Sequence, residues 1–256
     1  MNLTACIEWL FADEATNFAE RIYKAKAAGI EGVEFHLWRE KSLPDIKQAL
    51  NDTGVTLTSF CVDPRRSIVD EQQLPEFLAA VSDSIAAAKE LNCKMLIIAS
   101  GFALDGVSPE QHFDFALRAL RPAAALAEQA GITLLLEPLN TKVDHPGMYL
   151  NSVKTGLDLV EAVNSPGLKL IYDAYHSIVM GDDITTVLKG RVQHVAHIQV
   201  ADMPGRGAPG TGEINWPQVT QMLKEQNFQG WLGLEYKLNN LSTSQSLQSV
   251  NAALNN

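Results

Sequence analysis

Gly131-Ile-Thr-Leu-Leu-Leu-Glu137 carries the pattern that decides the fold: a glycine, a short apolar run, and a carboxylate at its end. An apolar run of this length bounded by turn signals predicts a strand buried on both faces. Three later runs end the same way: Lys169-Leu-Ile-Tyr-Asp173, Val195-Ala-His-Ile-Gln199 and Trp231-Leu-Gly-Leu-Glu235. Helix-like segments separate them. Four strand-end oxygens in succession predict one oxygen-rich site where the strands finish.

Working outward, the same alternation covers the chain. Strands are predicted at Leu3–Glu8, Gly32–Phe35, Leu57–Cys61, Met95–Ala99, Thr133–Glu137, Leu168–Asp173, Val192–Val200 and Trp231–Glu235. Helices are predicted at Thr16–Ala28, Leu43–Asp52, Glu71–Leu91, Ser108–Ala130, Val153–Val163, near Asp183–Lys189, Trp216–Gln226 and Ser242–Ala253. Ser108-Pro-Glu-Gln111 supplies a helix cap, a proline at the first helical position and a glutamine three residues after the cap. Glycines at 29, 54, 131, 190 and 230 each stand between a helix and the next strand, where a left-handed residue ends a helix. These links are short. The strand-to-helix links are long and polar, as in Asn140–Ser152 and Asp202–Asn215. That asymmetry predicts an α/β fold, a single (β/α)8 TIM barrel, with its site at the C-terminal ends of the strands. A doubly wound open sheet shares the alternation and is the second choice.

The chain has 256 residues, 46% hydrophobic and 20% charged, an ordinary globular balance with enough apolar residues for a sizeable core. A barrel commonly takes about 250 residues as one unit, so a single domain over 1–256 is expected. A net charge of −10 argues against a nucleic-acid groove, which needs clustered Lys and Arg. An anionic substrate would need a metal ion or a placed arginine. Cys6, Cys61 and Cys93 lie far apart without a CxxC pair and read as reduced, buried thiols. The start Met1-Asn-Leu-Thr-Ala lacks a positive n-region, and no apolar run approaches the ~20 residues that cross a bilayer. No membrane partner is expected, and the cytoplasm is the expected compartment. A homo-oligomer is left open.

Strand phase gathers the four oxygens. Alternate strand residues face opposite ways. Glu137 then shares a face with Leu135 and Thr133, Asp173 with Ile171, Gln199 with His197 and Val195, and Glu235 with Gly233. All four point into the barrel mouth, with Gly233 leaving space below. Three carboxylates and an amide carbonyl form a hard oxygen set suited to Mg²⁺ or Mn²⁺ and poor for structural zinc. Without a cation, converging carboxylates raise one another's pKa. Read one at a time, each is equally a solvated strand end or a cap on the next helix.

Five motifs now carry a family resemblance: Glu137-Pro-Leu-Asn140, Asp173-Ala-Tyr-His176, His197-Ile-Gln-Val-Ala-Asp202, Arg206-Gly-Ala-Pro-Gly-Thr-Gly-Glu-Ile-Asn215 and Gly233-Leu-Glu-Tyr-Lys237. Together they resemble the hydroxypyruvate isomerase family, within the xylose-isomerase-like barrels that also include ketose 3-epimerases and an apurinic endonuclease. The match is strong over residues 131–238. In the N-terminal half it rests on strand–helix rhythm and Gly32-Val-Glu-Phe35. The resemblance implies a divalent metal held by Glu137, Asp173, Gln199 and Glu235, with Glu137 and Glu235 as the acid/base pair. It implies a small-molecule substrate, a hydroxy-keto acid, isomerised through an enediolate. Hydroxypyruvate, giving tartronate semialdehyde, leads; a ketose 3-epimerase or keto-sugar-acid isomerase is the alternative. Gln199 favours the isomerase, since the epimerases and the nuclease tend to have His there. An endonuclease would need more histidines and a basic face. A non-catalytic sugar-acid binder would not need both Glu137 and Glu235.

Around these, His176 is expected to hydrogen-bond a substrate oxygen, and Asp202 and Arg206 to contact substrate. Arg206 offers a fork for a carboxylate. His197 reads as a hydrogen-bonded core histidine. Asp144 and His145 lie in a loop that can close over the site, and Trp38 and Trp216 are candidate pocket walls. Pro209-Gly-Thr-Gly212 lacks the Lys of a phosphate loop and reads as a tight turn. The chain departs from the family at Thr141-Lys-Val-Asp144, Ile7-Glu8-Trp9 and Asp63-Pro-Arg-Arg66, where substrate ends are read. Arg65 and Arg66 there are candidates for the positive charge that an acid requires.

Overall fold

The computed structural model describes residues 2–183 and 186–254. Eight parallel strands, each followed by a helix, close in chain order: β1 (Asn2–Cys6), β2 (Gly32–Phe35), β3 (Thr56–Cys61), β4 (Met95–Ala99), β5 (Thr133–Glu137), β6 (Leu168–Asp173), β7 (Val195–Val200) and β8 (Trp231–Leu234). β8 returns to β1 with Leu3 opposite Leu232, so no open sheet edge remains. The helices are α1 (Glu20–Ala27), α2 (Leu43–Thr53), α3 (Leu74–Glu90), α4 (Pro109–Ala130), α5 (Val153–Val163), α6 (Ala174–Met180), α7 (Trp216–Glu225) and α8 (Thr243–Leu254). Closure excludes the doubly wound sheet.

Capping explains most boundaries. Ser108 and Gln111 form the reciprocal capping box that opens α4, and Gly131 closes that helix at φ 69°. Ser42 and Ser152 cap α2 and α5. The helix after β6 differs from expectation. Asp173 caps it, so it begins at Ala174, and residues 186–190 of the expected Asp183–Lys189 helix are turns. Residues 184 and 185 lie outside the described set.

The barrel separates two apolar regions by strand phase. Leu134, Leu136, Leu170 and Tyr172 pack in the large core under the helices. Leu135 and Ile171 pack with Cys61 and Ile97 inside the barrel. A register shift where β6 meets β7 sets Val195 opposite Leu170 and His197 opposite Ile171. Val195 therefore joins the helix-side core rather than the interior, while His197 and Gln199 face inward. All three cysteines are free and buried. Among the described residues, no helix is long and apolar enough to cross a membrane.

The other half of the interior is polar. Thr4 and Thr58 share a hydrogen bond of 2.9 Å, and Glu34, Ser59 and His197 are buried. Gly233 faces this group, and a Cβ there would lie 2.7 Å from Glu34 Oε1 and 2.8 Å from His197 Nε2. Such overpacking typically costs about 1–3 kcal/mol. Gly233→Ala should therefore lower the thermal midpoint by several degrees, about 2–4 °C per kcal/mol for a chain of this size. A circular-dichroism melt that superimposes on wild type would refute the steric argument.

Candidate active site

A cavity of about 770 Å³ opens at the C-terminal ends of the strands, and Glu137, Gln199, Glu235, His176 and Arg206 all line it. Each predicted oxygen reaches it by a different local device. Half-buried Glu137 ends β5. Asp173 ends β6; its Oδ1 accepts from the His176 N–H at 3.0 Å, which leaves Oδ2 for the mouth. Glu235 sits one residue beyond β8, with Oε1 2.7 Å from His36 Nε2.

Gln199 is held by a residue that the sequence reading passed over. Its Nε2 donates to Glu34 Oε1 at 2.9 Å. A carboxylate only accepts, so this contact sets the amide orientation. It leaves Gln199 Oε1 buried without a partner. Glu34 Oε2 also lies 2.6 Å from Nε2 of fully buried His197, which is in the core as expected, although neither ring nitrogen has hydrogen-bonding geometry. A carboxylate inside the apolar run Gly32-Val-Glu-Phe35, on an inward phase, was the available signal for Glu34.

Arg206 connects the carboxylates. Its Nη2 donates to Glu235 Oε2 at 2.7 Å and to Asp173 Oδ2 at 3.4 Å. The guanidinium lies over the rings of Trp9 and Tyr175, at 4.8 and 5.0 Å from their centroids. It is 6% exposed, and its Nε has no partner. The groups of ligand type fall into two sets. Glu137, Asp173 and His176 form one set and Cys6, His36 and Glu235 another, with donor atoms within 4.8 Å inside each set.

The electrostatics follow. Burial, then the charges of Glu235 and Asp173, push the Glu137 carboxyl well above its ordinary range. Burial likewise raises Asp173 against the opposing pull of His176 and Arg206. Burial also works against an ionised Glu235, but the His36 hydrogen bond and the Arg206 charge prevail and hold it down to about 2. Burial disfavours the Arg206 cation too, yet Asp173 and Glu235 outweigh it and keep the guanidinium firmly protonated.

His176 is 2% exposed. Its Nδ1 lies 3.3 Å from the Asn140 backbone N–H and 2.6 Å from Asn140 Nδ2, both donors. Nδ1 is therefore the acceptor, and in the neutral ring the proton sits on Nε2, 3.5 Å from Asp173 Oδ2. Burial holds the ring neutral by lowering its pKa. In this tautomer His176 is a donor at the cavity wall and not a metal ligand. Asp144 accepts from Asn140 Nδ2 at 2.7 Å, and His145 packs 5.3 Å from the His176 ring and lines the cavity.

Asp202 departs from its expected role. It is completely buried, and its two oxygens accept from the backbone N–H groups of Met203, Ile214 and Gly210 and from Trp216 Nε1, at 2.9–3.1 Å. Four donors saturate the carboxylate, so it organises the loop after β7 and leaves nothing for a substrate. Gly212 is needed there, since a Cβ would fall 2.5 Å from Asp202 Oδ1. The turn read at Pro209–Gly212 is thus wrapped around Asp202, and it presents Arg206. Trp216 packs in this loop, and Trp38 donates to Ser84 Oγ at 3.0 Å; the cavity wall is Trp9 instead.

Comparison with known proteins places the chain. The family described as xylose isomerase-like TIM barrel matches residues 22–253. Hydroxypyruvate isomerase of Escherichia coli is 30% identical over 244 residues, 93% of each chain. 2-Oxo-tetronate isomerase of Cupriavidus necator is 27% identical, covering 86% of this chain and 87% of its own. A crystal structure titled as a family 2 AP endonuclease from Brucella melitensis superimposes with a TM-score of 0.89 at 28% identity, covering 96% of this chain and 97% of its own.

The raised Glu137 carboxyl has a stability consequence. A group whose folded pKa lies above its ordinary 4.5 stabilises fully below that value, and the stability is lost as pH rises through the folded pKa. Glu137→Gln removes this loss. In metal-free protein the variant should resist urea better than wild type at about pH 8, with the advantage gone near pH 4. Equal midpoint differences at both pH values would show that Glu137 is not held protonated by its surroundings.

Proposed function

The chain belongs to the xylose isomerase-like TIM barrel family, and from that premise we propose that it is a metal-dependent isomerase of small hydroxy-keto acids. The leading reaction is hydroxypyruvate to tartronate semialdehyde. One observation carries the reading: a buried amide oxygen without a partner, Gln199 Oε1, at the cavity that Glu137 and Glu235 also line. An orphaned buried acceptor carries a desolvation penalty that a hard cation would remove. Glu137, Asp173, Gln199 and Glu235 would hold Mg²⁺ or Mn²⁺, which supplies Lewis-acid stabilisation of negative charge on substrate oxygens.

The chain's own residues account for the proton transfers. A carboxylate of the Glu137/Glu235 pair takes the proton from the hydroxyl-bearing carbon next to the carbonyl, giving an enediolate. The pair then returns a proton to the former carbonyl carbon. The hydroxyl proton moves in the same sense, from the oxygen of the deprotonated carbon to the former carbonyl oxygen, so the product is an isomer and no oxidant or reductant is required. His176 Nε2–H and the unpartnered Arg206 Nε–H are the donors available to substrate oxygens at the cavity wall. Trp9 and Tyr175, whose rings the Arg206 guanidinium packs over, help hold that donor in place. Positioned acid–base groups of this kind contribute roughly 10²–10⁴-fold.

The cavity volume supports a second reading, a longer keto-sugar acid or a ketose undergoing 3-epimerisation, since about 770 Å³ is more than a three-carbon acid fills. Nuclease action is not favoured, because a net charge of −10 opposes a phosphate backbone.

Solvent deuterium should enter hydroxypyruvate or a longer hydroxy-keto acid in the presence of Mn²⁺, and Glu137→Gln or Glu235→Gln should slow exchange by about 10²-fold or more. Absence of exchange across acids and ketoses of three to six carbons would end the isomerase proposal. Independently of turnover, Gln199→Ala should weaken Mn²⁺ binding measured by water-proton relaxation. Unchanged affinity would remove Gln199 from the ligand set.

A further inference from the structure

We infer that Arg65 is the receptor for the substrate carboxylate, and that this residue makes the barrel select keto acids over neutral ketoses. The inference rests on the keto-acid reading above and assigns the end of the molecule that reading leaves unplaced.

Three arginines line the cavity: Arg65, Arg66 and Arg206. Two are committed. Arg206 is tied through Nη2 to Glu235 and Asp173 and packed against two aromatic rings, so its charge is already committed to carboxylates. Arg66 places Nε on Glu76 at 2.5 Å and Nη1 on the Arg65 carbonyl at 2.9 Å, which holds the loop's shape. Among the described residues, no carboxylate lies within ion-pair distance of Arg65. Its side chain turns inward nonetheless: it lines the cavity together with the buried Cys61 at the end of β3, and its charge opposes the burial that raises that thiol. Its charge is also felt at Glu137 and at His145. The free cation therefore faces the cavity that Glu137, one half of the proposed acid/base pair, also lines.

Topology gives the direction. In a closed barrel of eight strands in chain order, the end of β3 lies across the mouth from the end of β7. Asp173, Gln199 and Glu235 come from β6, β7 and the residue after β8, so Arg65 stands opposite them. A substrate between the two sides presents its carboxylate to Arg65 and its hydroxyl-bearing carbons to Glu235 and Arg206. A guanidinium grips a carboxylate through two parallel N–H donors. Arg65 is solvent-exposed without substrate, so no desolvation penalty accrues until an anion arrives.

Size leaves charge as the discriminating property. Seven water-sized atoms at ~30 Å³ each come to ~210 Å³, against a cavity of about 770 Å³. Acids longer than three carbons are not excluded by volume. In a chain of net charge −10, with Glu34, Glu137 and Glu235 on the cavity wall, an uncommitted cation is the feature that distinguishes an acid from a neutral sugar.

The test is calorimetric binding, with Mn²⁺ present, of glycerate and of glycerol, and of the corresponding four-carbon hydroxy acid and polyol. Wild-type protein should bind each acid at least ~10-fold more tightly than its polyol. Arg65→Gln should remove that preference, Arg65→Lys should restore part of it, and Arg66→Gln should leave it in place. Equal affinity for acid and polyol in wild type, or a preference that survives in Arg65→Gln, would overturn the inference. Deuterium exchange separates the two claims. If the preference vanishes in Arg65→Gln but no substrate exchanges in wild type, the carboxylate receptor stands and the isomerase reading falls. If exchange is robust and Arg65→Gln keeps the preference, the receptor falls alone.

Discussion

Glu137, Asp173 and Glu235 crowd one poorly hydrated mouth, and their mutual repulsion is the constraint around which the rest of the site is arranged. Like charges in a low-dielectric setting cannot all ionise without a compensating cation. Arg206 provides part of that compensation from the loop after β7, touching two of the three. The third, Glu137, lacks a close basic partner among the described residues and shifts toward the protonated form. A divalent ion would draw on the same oxygens. Arg206 and such an ion would be alternative answers to one electrostatic problem, and the guanidinium packs against the rings of Trp9 and Tyr175 at the same mouth.

The residues behind the mouth make that arrangement rigid. Glu34 binds the Gln199 amide from below and meets His197, so the amide oxygen has one orientation. Gly233 keeps open the space these side chains fill. Asp202 gathers four donors and folds its loop into a frame from which Arg206 projects. His36 sets Glu235, and Asn140 sets the tautomer of His176. Gln199, Glu235 and His176 are each oriented by a hydrogen-bonding partner, the condition under which small displacements in a site are suppressed.

The strand–helix alternation, the barrel and the inward phase of Glu137, Asp173 and Gln199 were legible in the sequence. Each depends on local spacing: two residues per strand repeat, a cap, a glycine at a helix end. Val195 is the exception that marks the limit, since a register shift between neighbouring strands moved it to the other face. Asp202 marks another. A conspicuous carboxylate beside the site looked available to a substrate, and only the folded loop showed four donors already upon it.

Strand order and phase follow from local periodicity, so the amino-acid pattern alone sets which residues arrive at the mouth. Folding then settles what each arriving group is free to do. Glu34 and His36, from β2 and the residue after it, meet partners 165 and 199 positions away, and no local pattern encodes such pairings. The same holds for the arginines. Arg65, Arg66 and Arg206 are equivalent cations in a sequence, but closing the barrel pairs two of them with carboxylates and leaves the third facing the cavity, because partner choice is set by distances that exist only after folding.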